Sequence, residues 1–394
     1  MNTAKGTGLL SGRDAARPGT PVATVNIYPG FNALYYSYFL AGLSEVFGWE
    51  ALHFTTEGFP DFGHDCLAVK IVTGRSERRI YFEANDSPEL EPRGLAWCDI
   101  LAKVNCCTDS TSPEIQNKVV PVGPAFPVRL WDTSQAFLVA LRNLAKSNVR
   151  LRSYALSYYD PRYTVKDVSL LICVKRHLIN YAKLFSHRRL PLAEYRPGKS
   201  HGNYIFFSSG LWPEVHRVPE WAKANRTANQ NRLAFLLACR SVPGVVVEGG
   251  FWARKRVKVS GYEKFTSRVE YRHEEYIEHT KSSAVVFNTP AYKGCHSWKL
   301  GEFLALGKAI ISVPMLREMP APLVHGTHIH FVDGSTGETR DAVARICSDD
   351  DYRHHLEVNA RAYFETYLQP AQMVRRLLEA RVPFTGGRGD GLLS

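Results

Sequence analysis

Apolar positions along the chain fall into short β-branched runs and longer stretches repeating every three to four residues. Val22–Pro29 is a mostly apolar run stopped at Pro29-Gly30. Asn32 is then placed to cap a helix carrying Leu34, Tyr35, Tyr38, Phe39, Gly42, Leu43 and Val46 at helical spacing. The pattern predicts further strands at Ala51–Thr55, Leu67–Val72, Arg79–Ala84, Ile100–Val104 and Val119–Val122, with helices around Leu90–Trp97 and over 133–147 and 165–187. In the second half five short runs (Tyr204–Ser208, Val245–Glu248, Ala284–Asn288, Ala309–Val313, Ile329–Val332) alternate with helical periodicity at Ala228–Cys239, Tyr271–Lys281, Trp298–Leu306 and Arg340–Cys347. Alternation at this spacing implies βαβ units, a parallel sheet and helices on both faces. A long helix, about Tyr352–Arg381, closes the pattern.

Prolines and glycines divide it. Residues 188–203 hold two prolines with Gly198 and Gly202, the composition of a linker. The expected organisation is a disordered leader over 1–20, a first unit over 21–190, a linker over 191–203, a second unit over 204–350, a terminal helix over 351–381 and a flexible tail over 382–394. Two doubly wound α/β domains so joined leave a cleft between the carboxyl ends of their sheets, where ligands bind.

The 394 residues suffice for two cores, and 45% hydrophobic with 22% charged residues is globular composition. No apolar run approaches the length of a membrane span, and no secretory signal is visible, so the expected location is cytoplasmic. Eight cysteines show no metal-ligand spacing; Cys106 and Cys107 read as buried thiols. The net charge of +11 is uneven: residues 150–199 hold eleven Lys/Arg against three Asp/Glu, and residues 250–272 hold seven against two. Such strips attract polyanions or an anionic membrane surface, or are plain solvated faces. No nucleic-acid-binding motif accompanies them.

The most informative stretch is Phe287–Pro314. A strand ends, a loop containing Gly294 follows, Ser297 is placed to cap a helix, and Gly307 to end it before the next strand. Leu300, Phe303, Leu304 and Gly307 form its sheet-facing stripe, and Lys299 and Glu302 share another face. Free N–H groups at the helix start suit a diphosphate, and an acid one turn in suits ribose hydroxyls. A capped helix with a Lys/Glu pair is also an ordinary surface feature.

This stretch ("FNTP…CHSWKLGEFLALGKAIISVP"), followed by "PAPLVHGTHIHFVDG" and a helix near "NARAYFETYLQP", resembles the donor-binding half of glycosyltransferases of the GT-B fold, of the group that includes bacterial polysaccharide and lipopolysaccharide transferases. The resemblance covers about Tyr204–Leu378, with "YIFFSSGLW", "TANQNRLAFLLACR" and "VVVEGGF" as the opening βαβ unit. It extends more weakly into the first half through "VNIYPGF", "CDILAKVN" and "KVVPVGPAF". It implies a terminal helix packed back on the first domain. It implies transfer of a sugar from a nucleotide-sugar, which is substrate and not cofactor, with no metal. Glu302 matches the glutamate expected at the donor ribose. Retaining members carry another glutamate eight positions earlier, where this chain has Gly294, so the two-glutamate motif is incomplete. His296 and Ser297 in the same loop are placed for the sugar or its phosphates.

Gly30 and Gly250, each at a strand end, permit close approach of a phosphate. Lys299 and Arg254 are candidate cations for the leaving diphosphate. If the enzyme inverts, a general base comes from the first domain, and Asp61, His64 and Asp86 are the candidates. His325, His328 and His330 lack acidic partners at zinc spacing and read as structural. The expected acceptor is a glycan or lipid-linked hydroxyl in cell-surface polysaccharide assembly, with the basic strip at the inner membrane face. Three alternatives stay open: a nucleotide-sugar epimerase of the same fold, a non-catalytic glycan-binding or scaffold protein, and a basic nucleic-acid binder.

Overall fold

The computed structural model describes residues 23–60, 62, 66–107, 112–146, 170–184, 189–214, 218–252, 260–267 and 269–380. The first unit is a six-stranded sheet in the order β2-β1-β3-β4-β5-β6, formed by β1 (Thr24–Ile27), β2 (Leu52–Phe54), β3 (Leu67–Thr73), β4 (Ser76–Glu83), β5 (Ile100–Lys103) and β6 (Val119–Pro121). β3 alone runs opposite to its neighbours. Thr73 pairs with Ser76, so two residues join β3 to β4, too few for the crossover that a parallel pair needs. Gly74, with φ of +62°, makes that turn. The other pairings, β1–β2, β4–β5 and β5–β6, are parallel. Helix α1 (Ala33–Phe47) is capped by the Asn32 side chain and buries Leu34, Tyr38, Phe39 and Leu43. Around the sheet also lie α2 (Pro92–Trp97), α3 (Pro113–Gln116), α4 (Thr133–Lys146) and α5 (Leu170–Ala182).

The second unit is parallel throughout its described pairings. β7 (Tyr204–Gly210) pairs with β8 (Val246–Trp252), and β10 (Ile310–Ser312) lies between β9 (Val286–Asn288) and β11 (His330–Phe331). The ladders join where the Ala284 N–H donates to the Tyr204 carbonyl at 2.7 Å, giving the order β8-β7-β9-β10-β11. The chain leaves β7 in one direction and reaches β9 in the other, so a crevice opens beyond their carboxyl ends. Helices α6 (Pro219–Ser241), α7 (His273–Ser282), α8 (Trp298–Ala305) and α9 (Thr336–Ser348) connect the strands.

The closing helical stretch is not one helix. α10 (Asp350–Tyr363) runs into a π turn over Phe364–Leu368, and α11 (Pro370–Glu379) starts afresh. Pro370 supplies no N–H and disfavours helical backbone at Gln369, which forces the break. α11 lies on α1, and a Cβ at Gly42 would stand 2.3 Å from the Pro370 carbonyl oxygen. The Tyr38 hydroxyl donates to the Leu368 carbonyl at 2.7 Å, and Arg78 Nη2 donates to the Ala380 carbonyl at 2.8 Å. Two α/β units thus meet across a cleft. No described helix is long and apolar enough to cross a membrane.

Candidate functional site

A cavity of about 350 Å³ opens at the carboxyl ends of β7 and β9, and both units line it. Tyr35 and Asp86 come from the first; Ser208–Trp212, Arg232, Thr289 and Cys295–Lys299 come from the second. Its distinguishing feature is cationic. Lys299, in the first turn of α8, donates from Nζ to the Ser208 carbonyl and stands 5.2 Å from the Tyr276 ring centroid. Arg232, on the buried face of α6, donates from Nη1 to the Gly210 carbonyl at 3.0 Å and stands 5.9 Å from the Trp212 ring. Among the described residues no carboxylate lies within ion-pair distance of either. Burial, and then the Arg232 charge, push the Lys299 ammonium down to about 8 against the pull of Glu302 one layer behind; burial pushes the Arg232 guanidinium down to about 10. Two desolvated cations, the Lys299 ammonium lowered by the Arg232 charge as well as by burial, make a site for an anion.

The start of α8 adds to it. Ser297 Oγ accepts from the Leu300 N–H at 3.2 Å and donates to Asn288 Oδ1 at 3.0 Å, while Asn288 Nδ2 donates to Ser312 Oγ at 2.9 Å. The loop is thereby fastened to β9 and β10, and Ser297, Trp298 and Lys299 present the positive end of α8 to the cavity. Burial holds His296 neutral by pushing it down to about 4. Its Nε2 lies 3.2 Å from the Glu318 carbonyl, so that nitrogen carries the proton. Two hydroxyls of the wall, Tyr276 OH and Thr289 Oγ1, are buried with no hydrogen-bond partner among the described residues; Thr289 is 5% exposed.

Gly294 has φ of +75°, and a Cβ there would stand 3.0 Å from Leu316 Cδ1. With Lys293 also left-handed at φ of +56°, this backbone disfavours any side chain at 294. A carboxylate reaches the cavity from elsewhere. Asp86, in the loop after β4, has the Cys295 thiol and the Lys293 ammonium near it, and burial raises its carboxyl above the ordinary value despite both.

Glu302 is buried but is not part of the cavity wall. Its Oε1 is 4.0 Å from His273 Nε2, which lies 2.8 Å from the Tyr195 hydroxyl. Burial raises Glu302 to about 7 against the pull of Arg189 and Lys299, and lowers His273 to about 4. Gly30 lies against the Tyr28 ring and Gly250 against the Phe265 backbone, neither on the wall. Asp61, His64 and Arg254 fall outside the described residues, as does much of both basic strips. His328 Nδ1 accepts from the Val324 N–H and His325 Nδ1 from the Phe331 N–H, both at 3.0 Å, which ties these rings to their own loop. Cys106 is a buried free thiol and Cys107 is half-buried.

Sequence reasoning missed Arg232, Tyr276 and Thr289. A signal for Arg232 existed: Asn225, Ala228, Asn229, Arg232, Phe235, Leu236 and Cys239 share the buried face of α6, so polar residues sit on a core stripe.

No model of a known protein family matches the chain, and no curated protein matches it. Solved structures similar to it include HepE from Anabaena in complex with UDP and glucose, at a TM-score of 0.33 and 13% identity over 53% of this chain and 61% of that one. Another is the C-terminal domain of a group 1 family glycosyl transferase, LpcC from Francisella tularensis, at 0.29 and 15% over 44% and 88%. A third is TarM, at 0.34 and 11% over 52% and 41%. The chain spans about three fifths of the HepE chain and two fifths of TarM. At these TM-scores the likeness carries no functional argument.

Proposed function

We propose that this chain is a glycosyltransferase, moving a sugar from a nucleoside-diphosphate sugar to a hydroxyl of a glycan or lipid-linked acceptor. The observation that carries the reading is the buried Lys299–Arg232 pair, with no carboxylate within ion-pair distance among the described residues, at the crevice between β7 and β9 beside the start of α8. A diphosphate supplies the missing negative charge, and that charge grows as the glycosidic bond breaks. Thr289 and Tyr276 offer hydroxyls to the same ligand.

Asp86 is the general base in this reading. The acceptor hydroxyl gives its proton to the Asp86 carboxylate as its oxygen bonds to the anomeric carbon. The bond from that carbon to the diphosphate oxygen breaks, and the nucleoside diphosphate leaves with the electron pair, held by Lys299 and Arg232. A carboxyl raised by burial is a stronger base than one in water. Base and leaving-group cations come from different units, which suits displacement with inversion. The left-handed Gly294 agrees, since no second glutamate stands beside the donor sugar to support retention. Glu302 then acts one layer behind the wall, or reaches ribose only after a rotamer change. The basic strips support an acceptor anchored at an anionic membrane face.

The test is Asp86→Asn, with release of nucleoside diphosphate followed with and without acceptor. Transfer falls by about 10²–10⁴-fold, the size of a general-base contribution, while nucleotide affinity stays within a few-fold. Transfer at wild-type rate in that variant removes Asp86 from the mechanism.

A further inference from the structure

Three pairs of sequence neighbours meet across the cleft: Asn85-Asp86 and Asn105-Cys106 of the first unit, and Cys295-His296 of the second. The Asp86 carboxyl neighbours the Cys295 thiol. Asn105, 2% exposed, donates from Nδ2 to the Asn85 carbonyl at 2.7 Å and accepts at Oδ1 from the His296 N–H, also at 2.7 Å. The Cys106 carbonyl accepts from the Glu318 N–H at 3.0 Å, and the Glu318 carbonyl faces His296 Nε2. The ring of contacts closes on itself.

The first-unit side of this ring is rigid. Lys103 Nζ, fully buried, pairs with Glu83 Oε1 at 2.9 Å and donates to Asn85 Oδ1 at 2.9 Å and to the Glu89 carbonyl at 2.8 Å. Lys103 is thereby committed to shaping the loop that carries Asp86. Asn105 is the side chain that binds both loops at once, with its donor spent on one and its acceptor on the other.

We propose that Asn105 is a positioning residue, which locks the Asp86 loop to the cavity loop Ala291–Ser297 so that the base and the diphosphate-binding cations are set in one register. This rests on the reading of Asp86 as the base. Its two bonds run to backbone groups, so the register is fixed whatever side-chain rotamers the ligand selects. The groups around the Asp86 carboxyl are the Lys293 ammonium, the Cys295 thiol and the Tyr292 hydroxyl, all on the cavity loop. Slippage between the loops therefore changes these three neighbours of the base together.

The experiment is hydrogen exchange of the full chain, resolved by peptide, in Asn105→Ala and in Asn105→Asp. Asn105→Ala frees both loops: exchange rises by about tenfold over 85–91 and over 291–297, the loss of one hydrogen bond at each. Asn105→Asp keeps the acceptor for the His296 N–H and loses the donor, so the rise is confined to 85–91. A rise in only one loop in Asn105→Ala, or in neither, overturns the coupling. With substrate, Asn105→Ala lowers transfer kcat by about tenfold, leaves nucleotide Kd within about threefold, and shifts the acidic limb of the pH profile, because burial and the Cys295 and Lys293 contacts of Asp86 all change. A lowered kcat with an unmoved limb assigns Asn105 a structural role only. A wild-type chain without turnover refutes the base reading, while the exchange result still decides the coupling.

Discussion

Arg232→Met separates a functional arginine from a structural one. Arg232 is 6% exposed, and burial lowers its guanidinium from the ordinary value to about 10. At 1.36 kcal/mol per pH unit, keeping it charged costs the fold roughly 3 kcal/mol. Met removes that cost and nearly fills the volume. It forfeits the bond to the Gly210 carbonyl, about 1–3 kcal/mol, and the contact with the Trp212 ring, about 0.5–1 kcal/mol. The opposing effects nearly cancel, so the melting temperature moves by no more than about 3 °C. Nucleotide affinity does not cancel. A hydrogen bond to a charged group contributes about 1.5–3 kcal/mol, so Kd for the nucleoside diphosphate weakens roughly 10- to 150-fold. Without the Arg232 charge beside it, Lys299 also rises toward its ordinary basicity. Calorimetric titration and thermal unfolding of the same preparations read both quantities. A variant that loses several kcal/mol of stability yet binds nucleotide like wild type refutes the reasoning.

Gly42→Ala drives a Cβ into the Pro370 carbonyl, so α11 must move off α1; a loss of about 1–3 kcal/mol is expected in urea unfolding, and an unchanged midpoint contradicts the packing. Diphosphate binding requires the protonated Lys299, which burial has brought down to about 8, so affinity weakens as pH rises through that value; the dependence flattens in Lys299→Met, and a flat wild-type profile excludes Lys299 from the site. His296 and His273 are held neutral by burial, each lowered from 6.5 to about 4. Their folded-state values are depressed, so the stability they contribute is present above pH 6.5 and lost as pH falls toward 4. The slope is at most about 1.4 kcal/mol per pH unit for each; equal denaturant midpoints at pH 7 and 5 would show that they are not buried neutral.

Strands whose apolar residues are buried along their length were plain in the sequence, as at Ile100–Lys103 and Ile310–Ser312. Elements with one end in water were truncated. β4 begins at Ser76 because hydrogen bonding to β3 continues through a polar Ser-Glu-Arg-Arg stretch that carries no hydrophobic signal. α6 begins at Pro219, nine residues before its apolar repeat, and β8 runs on through Gly249-Gly250 to Trp252. The reversal of β3 was encoded in the two-residue Gly74-Arg75 turn, and the break at Gln369-Pro370 in the proline; both are local signals that apolar periodicity overlooks. The start of α8 was legible because capping is local: Ser297 does cap it. What periodicity cannot convey is which buried polar group faces a cavity. Asp86 was one loop candidate among three, and Lys299 and Glu302, three residues apart on one helix, part company only when α8 is seated between the cavity and His273.

The central claim is that the Lys299–Arg232 pair binds a nucleoside diphosphate. Its most direct test is thermal and denaturant unfolding of the wild-type chain and of Lys299→Met with UDP, GDP, ADP, CMP and dTDP. The account predicts that one diphosphate stabilises wild type by about 2.7 kcal/mol at a hundredfold excess over Kd, and that Lys299→Met loses most of this. A folded, monodisperse wild type stabilised by none of the five contradicts it.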